Sequence, residues 1–123
     1  MTDLMDVDGV PAVSELDLAT VLGALSDPVR LAYVQILARK EGEIRCGEVL
    51  KDTGITISKS TLSHHLKVLR EAGLTHTRIV GVRRFVTLRR NDLSARFPGL
   101  IEAICRTPDA DRADGATGRT SQR

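Results

Sequence analysis

Leucine, valine and isoleucine recur along this chain at two different periods, and the changes of period divide it into elements. Residues 1–14 show no apolar period and carry Asp3, Asp6 and Asp8, so they read as a flexible N-terminal arm. From Glu15 the positions Leu18, Val21, Leu22 and Leu25 fall at i, i+3, i+4 and i+7, the spacing of one helix face. Ser26-Asp27-Pro28 supplies a stop and a fresh start, because Ser or Asp caps a helix and Pro suits its first turn. A second helix is predicted from about Pro28 to Lys40, with Leu31, Val34, Ile36 and Leu37 inward. Gly42 ends it, and Glu43-Ile44-Arg45 leaves room only for a short extended segment. Gly47 to Asp52 reads as a brief third helix that turns Val49 and Leu50 inward and closes at Gly54. Ser58 stands where an N-cap belongs, and the fourth helix runs to Ala72 before Gly73 stops it.

From Thr75 the period shortens to two. Thr75–Val80 and Val82–Leu88 are rich in β-branched, aromatic and basic residues, and a tight turn at Val80-Gly81 joins them into a hairpin. Asn91-Asp92 offers another cap, after which Leu93, Phe97, Leu100, Ile101 and Ile104 return to helical spacing, with a break expected at Pro98-Gly99. Beyond Cys105 almost nothing is apolar. The order helix, helix, short helix, turn, helix, hairpin, helix is that of a winged helix-turn-helix: mainly α with a small β-hairpin (α+β), and dimeric. The expected organisation is an arm over 1–14, one DNA-binding and dimerisation domain over 15–104, and a disordered tail over 105–123.

Composition narrows the picture. A chain of 123 residues with 41% hydrophobic and 28% charged residues suits one globular core. With one Tyr, two Phe and no Trp, recognition by stacking bases on aromatic rings is not expected. The acidic start is unlike a secretory signal, and no stretch approaches the roughly 20 apolar residues of a membrane helix. A cytoplasmic protein with no membrane partner is therefore expected, with Cys46 and Cys105 as reduced thiols. The net charge of +2 says little, but its distribution says more. Acidic residues gather at both ends, whereas Lys51, Lys59, Lys67, Arg70, Arg78, Arg83, Arg84, Arg89 and Arg90 occupy the middle, as a phosphate-facing surface requires.

The fourth helix carries the chemistry. At about 100° per residue, Leu62, Leu66 and Leu69 share one face with His65 at its border, while Ser60, His64, Lys67 and Glu71 lie opposite. In a major groove, Lys59, Ser60, Thr61, Ser63, His64 and Lys67 would reach base edges or phosphates, with Ser63 and His64 as base readers and Lys67 and Arg70 as phosphate contacts. Taken alone, such a polar stripe is an ordinary solvated face. The hairpin that follows, with Arg83 and Arg84 beside its turn, makes it a reading helix with a wing. Leu18, Val21, Leu22, Leu25, Leu93, Phe97, Leu100 and Ile101 are more apolar surface than a small domain leaves wet, which predicts a dimer interface. The alternative is a protein-interaction module that keeps the fold without the DNA surface. No catalytic triad, phosphate-binding glycine loop or His-Glu-x-x-His pattern points to an enzyme.

The stretches Leu22–Leu31, with Ser26-Asp27-Pro28-Val29-Arg30, and Ser58–Leu74, with Ser63-His64-His65-Leu66 and Ala72-Gly73-Leu74, resemble the metal-responsive ArsR/SmtB regulators over about residues 15–104. The resemblance implies a homodimer joined through its first and last helices, an imperfect palindromic DNA site, and repression more than activation. It also implies metal sites whose usual motifs are not found here. Aligning the family's acidic residue on Glu48 puts its Cys-x-Cys pair on Arg45 and Gly47, with Cys46 between them, and no His follows His76. Zinc or nickel would need donors from elsewhere. The effector is left open among a metal, a redox signal and a sensory partner protein.

Overall fold

The computed structural model of this chain describes residues 5–6 and 11–105; of the tail expected over 105–123, Cys105 is helical and the rest lies outside the described residues, as do residues 1–4 and 7–10. Helix α1, Leu18–Leu25, spans its apolar stripe and starts at Leu18, not at Glu15 where the spacing changes. Asp17 is the reason: its carboxylate accepts from the Thr20 N–H at 3.0 Å and the Thr20 hydroxyl at 2.9 Å, and so caps the helix. Helix α2, Pro28–Arg39, opens on Asp27, whose side chain accepts from the N–H groups of Val29 (2.8 Å) and Arg30 (3.1 Å). Those bonds, first the one from Arg30, hold the Asp27 carboxyl below the usual carboxylate range.

The expected third helix is a 3₁₀ turn, Cys46–Glu48, running into further turns through 54. Gly47 and Gly54 bracket too few residues to nucleate an α-helix, and Thr53 competes for the backbone: its hydroxyl donates to Leu50 O (2.7 Å) and accepts from Ile55 N–H (3.0 Å). Val49 and Leu50 are buried, as their pattern predicts. Helix α3, Lys59–Glu71, is capped by Ser58, which accepts from Thr61 N–H at 3.1 Å. Its far end closes by Leu74 N–H to Leu69 O and Gly73 N–H to Arg70 O, both 3.0 Å, with Gly73 at φ +89°. This closure reverses the chain and buries Leu74 completely.

Four strands form one antiparallel sheet in the order β1-β3-β4-β2: β1 Met5–Asp6, β2 Ile44–Arg45, β3 Thr75–Val80 and β4 Arg83–Leu88. The hairpin is as expected, except that its turn is Gly81-Val82, with Val80 paired to Arg83. Two additions were not expected. The Glu43-Ile44-Arg45 segment joins the sheet by pairing Ile44 with Val86, and within the stretch read as a flexible arm, β1 pairs with β3 while Val13–Glu15 forms a 3₁₀ turn. Helix α4, Arg90–Arg96, and helix α5, Leu100–Cys105, are separated at Pro98-Gly99, as predicted. The Asn91-Asp92 cap is not formed, because α4 begins one residue earlier and Asp92 in its first turn instead accepts from Arg89 Nε at 3.0 Å.

The core is aliphatic, built on Leu16, Val21, Val34, Leu69, Leu74, Val86 and Leu93, with Tyr33 the one fully buried aromatic among the described residues. Tyr33 donates its hydroxyl to Cys46 O at 2.9 Å and so ties α2 to the turn before α3. Burial pushes both this phenol and the Cys46 thiol upward in pKa, so Cys46 is a buried, protonated packing group.

Candidate nucleic-acid interface

The motif Asp27-Pro28-Val29-Arg30 positions the reading helix. Arg30 donates from Nε to Ala24 O at the end of α1 (2.7 Å), and its Nη1 lies 3.1 Å from His65 Nδ1 on α3. A guanidinium has only donors, so His65 accepts at Nδ1, and one side chain clamps three helices. His65 is buried together with Leu66 and Leu69. With that face anchored, Lys59, Ser60, Thr61, Ser63, His64 and Lys67 are all exposed, Ser60, His64 and Lys67 on the side assigned to them by the helical count.

The hairpin stands beside this face. Val82 at its tip is 98% exposed, and Arg83 and Arg84 are exposed next to it. Strand alternation sends the two arginines to opposite sheet faces. Arg84, paired with Ile79, faces α3, whereas Arg83 lies on the outer face. A groove of about 540 Å³ runs between the 45–48 turn, the first half of α3 and the hairpin tip; Lys59, Ser63, Arg83 and Arg84 line it over a floor that includes Leu66. Arg45 lines it too. Sequence reasoning missed Arg45, since only the pairing of β2 with β4 brings it to the hairpin.

Arg70, expected as a phosphate contact, does not stand on the open helix face. It is half-buried against the sheet, with Nε inaccessible. Three other members of the basic centre serve the fold. Arg78 forms a bidentate pair with Glu43 and lies 5.5 Å from the centre of the Phe85 ring. Arg89 pairs with Asp92, and Arg90 donates to Ala38 O (2.8 Å), covering the carbonyl end of α2. The exposed cations that remain around the groove and α3 are Arg45, Lys59, Lys67, Arg83 and Arg84.

The residues expected at a dimer interface divide in two. Val21, Leu25, Leu93 and Ile101 are buried within the single protomer, so their apolar surface is already covered by the core. Leu18 and Leu22, one turn apart on α1, are 45% and 49% exposed, and Phe97 and Leu100 are half-buried around the α4–α5 break. Arg96 Nε donates to Leu16 O at 3.1 Å and so ties the end of α4 to the segment just ahead of α1. Cys105 ends α5 as a half-buried thiol. Among the described residues, no three His, Cys, Asp or Glu side chains converge as metal ligands, and no single helix is long and apolar enough to cross a membrane.

An anchored helix with a polar outer face, preceded by a turn and followed by a basic hairpin, defines a DNA-binding winged helix-turn-helix regulator. Residues 25–78 match the family model of a helix-turn-helix domain. Over 86 residues the chain is 41% identical to the uncharacterized HTH-type transcriptional regulator YceK of Bacillus subtilis, covering 70% of this chain and 84% of that one. The crystal structure of the transcriptional repressor BigR from Xylella fastidiosa aligns with a TM-score of 0.50 at 37% identity, covering 65% of this chain and 85% of that one. An ArsR family transcriptional regulator shares the fold with a TM-score of 0.55 at 22% identity, covering 83% of this chain and 98% of that one. The chain belongs to the helix-turn-helix transcriptional regulators.

Proposed function

We propose that this regulator is a cytoplasmic, non-enzymatic repressor that binds an imperfect palindrome in double-stranded DNA as a homodimer. The observation that carries this reading is the exposed face of α3, where Ser60, Thr61, Ser63 and His64 stand clear of the core between the cations Lys59 and Lys67. Short hydroxyls let a helix backbone approach base edges, and the imidazole of His64 reaches further, so these four choose sequence. Lys59, Lys67, Arg83, Arg84 and Arg45 contact phosphates, which supply affinity and not choice. The repressor assignment is supported by the likeness to BigR, described as a transcriptional repressor. The dimer is supported by the exposed Leu18 and Leu22 and the half-buried Phe97 and Leu100, apolar surface that two-fold symmetry would cover.

The test is retardation of the protein's own promoter DNA against a scrambled duplex at two salt concentrations. Preference for the promoter, with affinity falling steeply as salt rises, is the expected result. Equal or negligible binding to both duplexes would replace this reading with a protein-binding role.

A further inference from the structure

Of the four buried side-chain polar atoms without a hydrogen-bond partner among the described residues, two, Arg70 Nε and Thr77 Oγ1, belong to residues that line one recess. It measures about 200 Å³, and Ser63, Leu66, Ile79 and Arg84 complete its walls. Two periodicities build it. Ser63, Leu66 and Arg70 stand at i, i+3 and i+7 on the side of α3 that leans on the sheet. Thr77 and Ile79 alternate onto the facing side of β3, and Arg84, in register with Ile79, shares that side from β4. Thr77 is 3% exposed, so solvent does not serve its hydroxyl. Desolvating two donors where no internal acceptor meets them is unfavourable, and beside a second guanidinium the same place is also strongly positive.

The chemistry of the walls selects a ligand class. The polar groups are two guanidinium donors and two hydroxyls, with no carboxylate among the six residues. A guanidinium fork matches the oxygens of phosphate or carboxylate. The volume lies below the roughly 300–1,000 Å³ of pockets for drug-sized ligands, which suits a small ion. We propose that this recess seats a single phosphate-type oxyanion, held by Arg70 and Thr77 with the exposed Arg84 beside it. Because Arg70 belongs to α3 and Thr77 to β3, the bound anion bridges the reading helix to the hairpin and sets one against the other. The oxyanion is either free phosphate or a phosphate of the DNA backbone, and the second source rests on the DNA-binding reading above.

The experiment follows the arginine Nε–H resonances of the full chain in nitrogen-15 spectra during titration with inorganic phosphate, with chloride at equal ionic strength as control. The expected result is one resonance, missing in Arg70→Gln, that shifts saturably with phosphate and not with chloride. Thr77→Val is nearly isosteric and removes only the hydroxyl, with its fold checked by its melting temperature; it should weaken the response at least tenfold. A second arm repeats the spectra with the promoter duplex and with a duplex carrying neutral methylphosphonates. A shift caused by the duplex alone and abolished by methylphosphonate assigns the seat to the DNA backbone. A phosphate response that survives saturation with DNA assigns it to a free anion. Either result supports the proposal. It is overturned if neither phosphate nor duplex shifts the Arg70 resonance, or if Thr77→Val leaves the response unchanged. Promoter retardation by the same samples would show that only this inference had failed; its loss would show that the DNA reading had failed as well.

Discussion

At the scale of single residues, the exposed side chains proposed to read DNA are distinct from the buried and capping groups that hold α3 in place. Ser63→Ala and His64→Ala should weaken binding to the preferred site by about 1–3 kcal/mol while leaving scrambled DNA nearly unaffected, because each removes a base-edge contact. Arg84→Ala should weaken binding to every sequence alike and reduce the salt slope by about 1, as loss of a phosphate contact does. Titrations of both duplexes at several salt concentrations distinguish these outcomes. Asp27 tests the supporting frame. Asp27→Ala removes the cap of α2 and should cost about 1 kcal/mol in urea unfolding. The Asp27 carboxyl is held below its unfolded pKa of about 3.9 by the backbone N–H bonds. Its contribution is therefore complete above that value and disappears as pH falls through the folded pKa. The gap in urea midpoint between wild type and Asp27→Asn should thus be widest near neutrality and shrink as pH falls below about 4.

At the scale of elements, the most constrained junction is the reversal from α3 into β3. Gly73 sits at φ +89°, and a Cβ there would lie 2.1 Å from Leu16 Cδ2. Gly73→Ala should therefore cost more than the roughly 1–2 kcal/mol of a left-handed non-glycine residue, since Leu16 must also move. A fall in urea midpoint with the helical content retained is the expected result. Element identity was largely legible in the pattern: the period of 3.6 marked α1, α2 and α3, and the period of two marked the hairpin. Boundaries were less so, because they depend on which side chain wins a backbone group. Asp17, by capping, fixed the start of α1 at Leu18, and Thr53 helped replace a helix by turns. Leu16 was not singled out because it precedes its helix and belongs to no stripe, although it is 2% exposed and lies against Gly73.

At the scale of the whole molecule, the apolar residues of α1 and of the C-terminal helices have two different destinations. Leu93 is fully buried in one protomer, so Leu93→Ala should destabilise the fold by about 2–5 kcal/mol. Leu18→Glu combined with Leu22→Glu changes only exposed positions. That variant should retain its secondary structure yet sediment as a monomer and lose affinity for a palindrome, as sedimentation velocity and retardation assays would show. A stable dimer in this double variant would move the interface elsewhere.

The amino-acid sequence determined the fold class, the order of elements and the exposed face of α3, because each follows from local periodicity and from caps acting within a few residues. Tertiary structure alone decided how the cations are shared out. Arg78, Arg89 and Arg90 look as available as Arg83 and Arg84 when read along the chain, but they are drawn to Glu43, to Asp92 and to the carbonyl end of α2. It also decided which leucines stay exposed and that Arg70 and Thr77 meet in one recess. These outcomes depend on groups far apart in sequence, whose encounter is set by the packing of helices on the sheet and leaves no periodic trace.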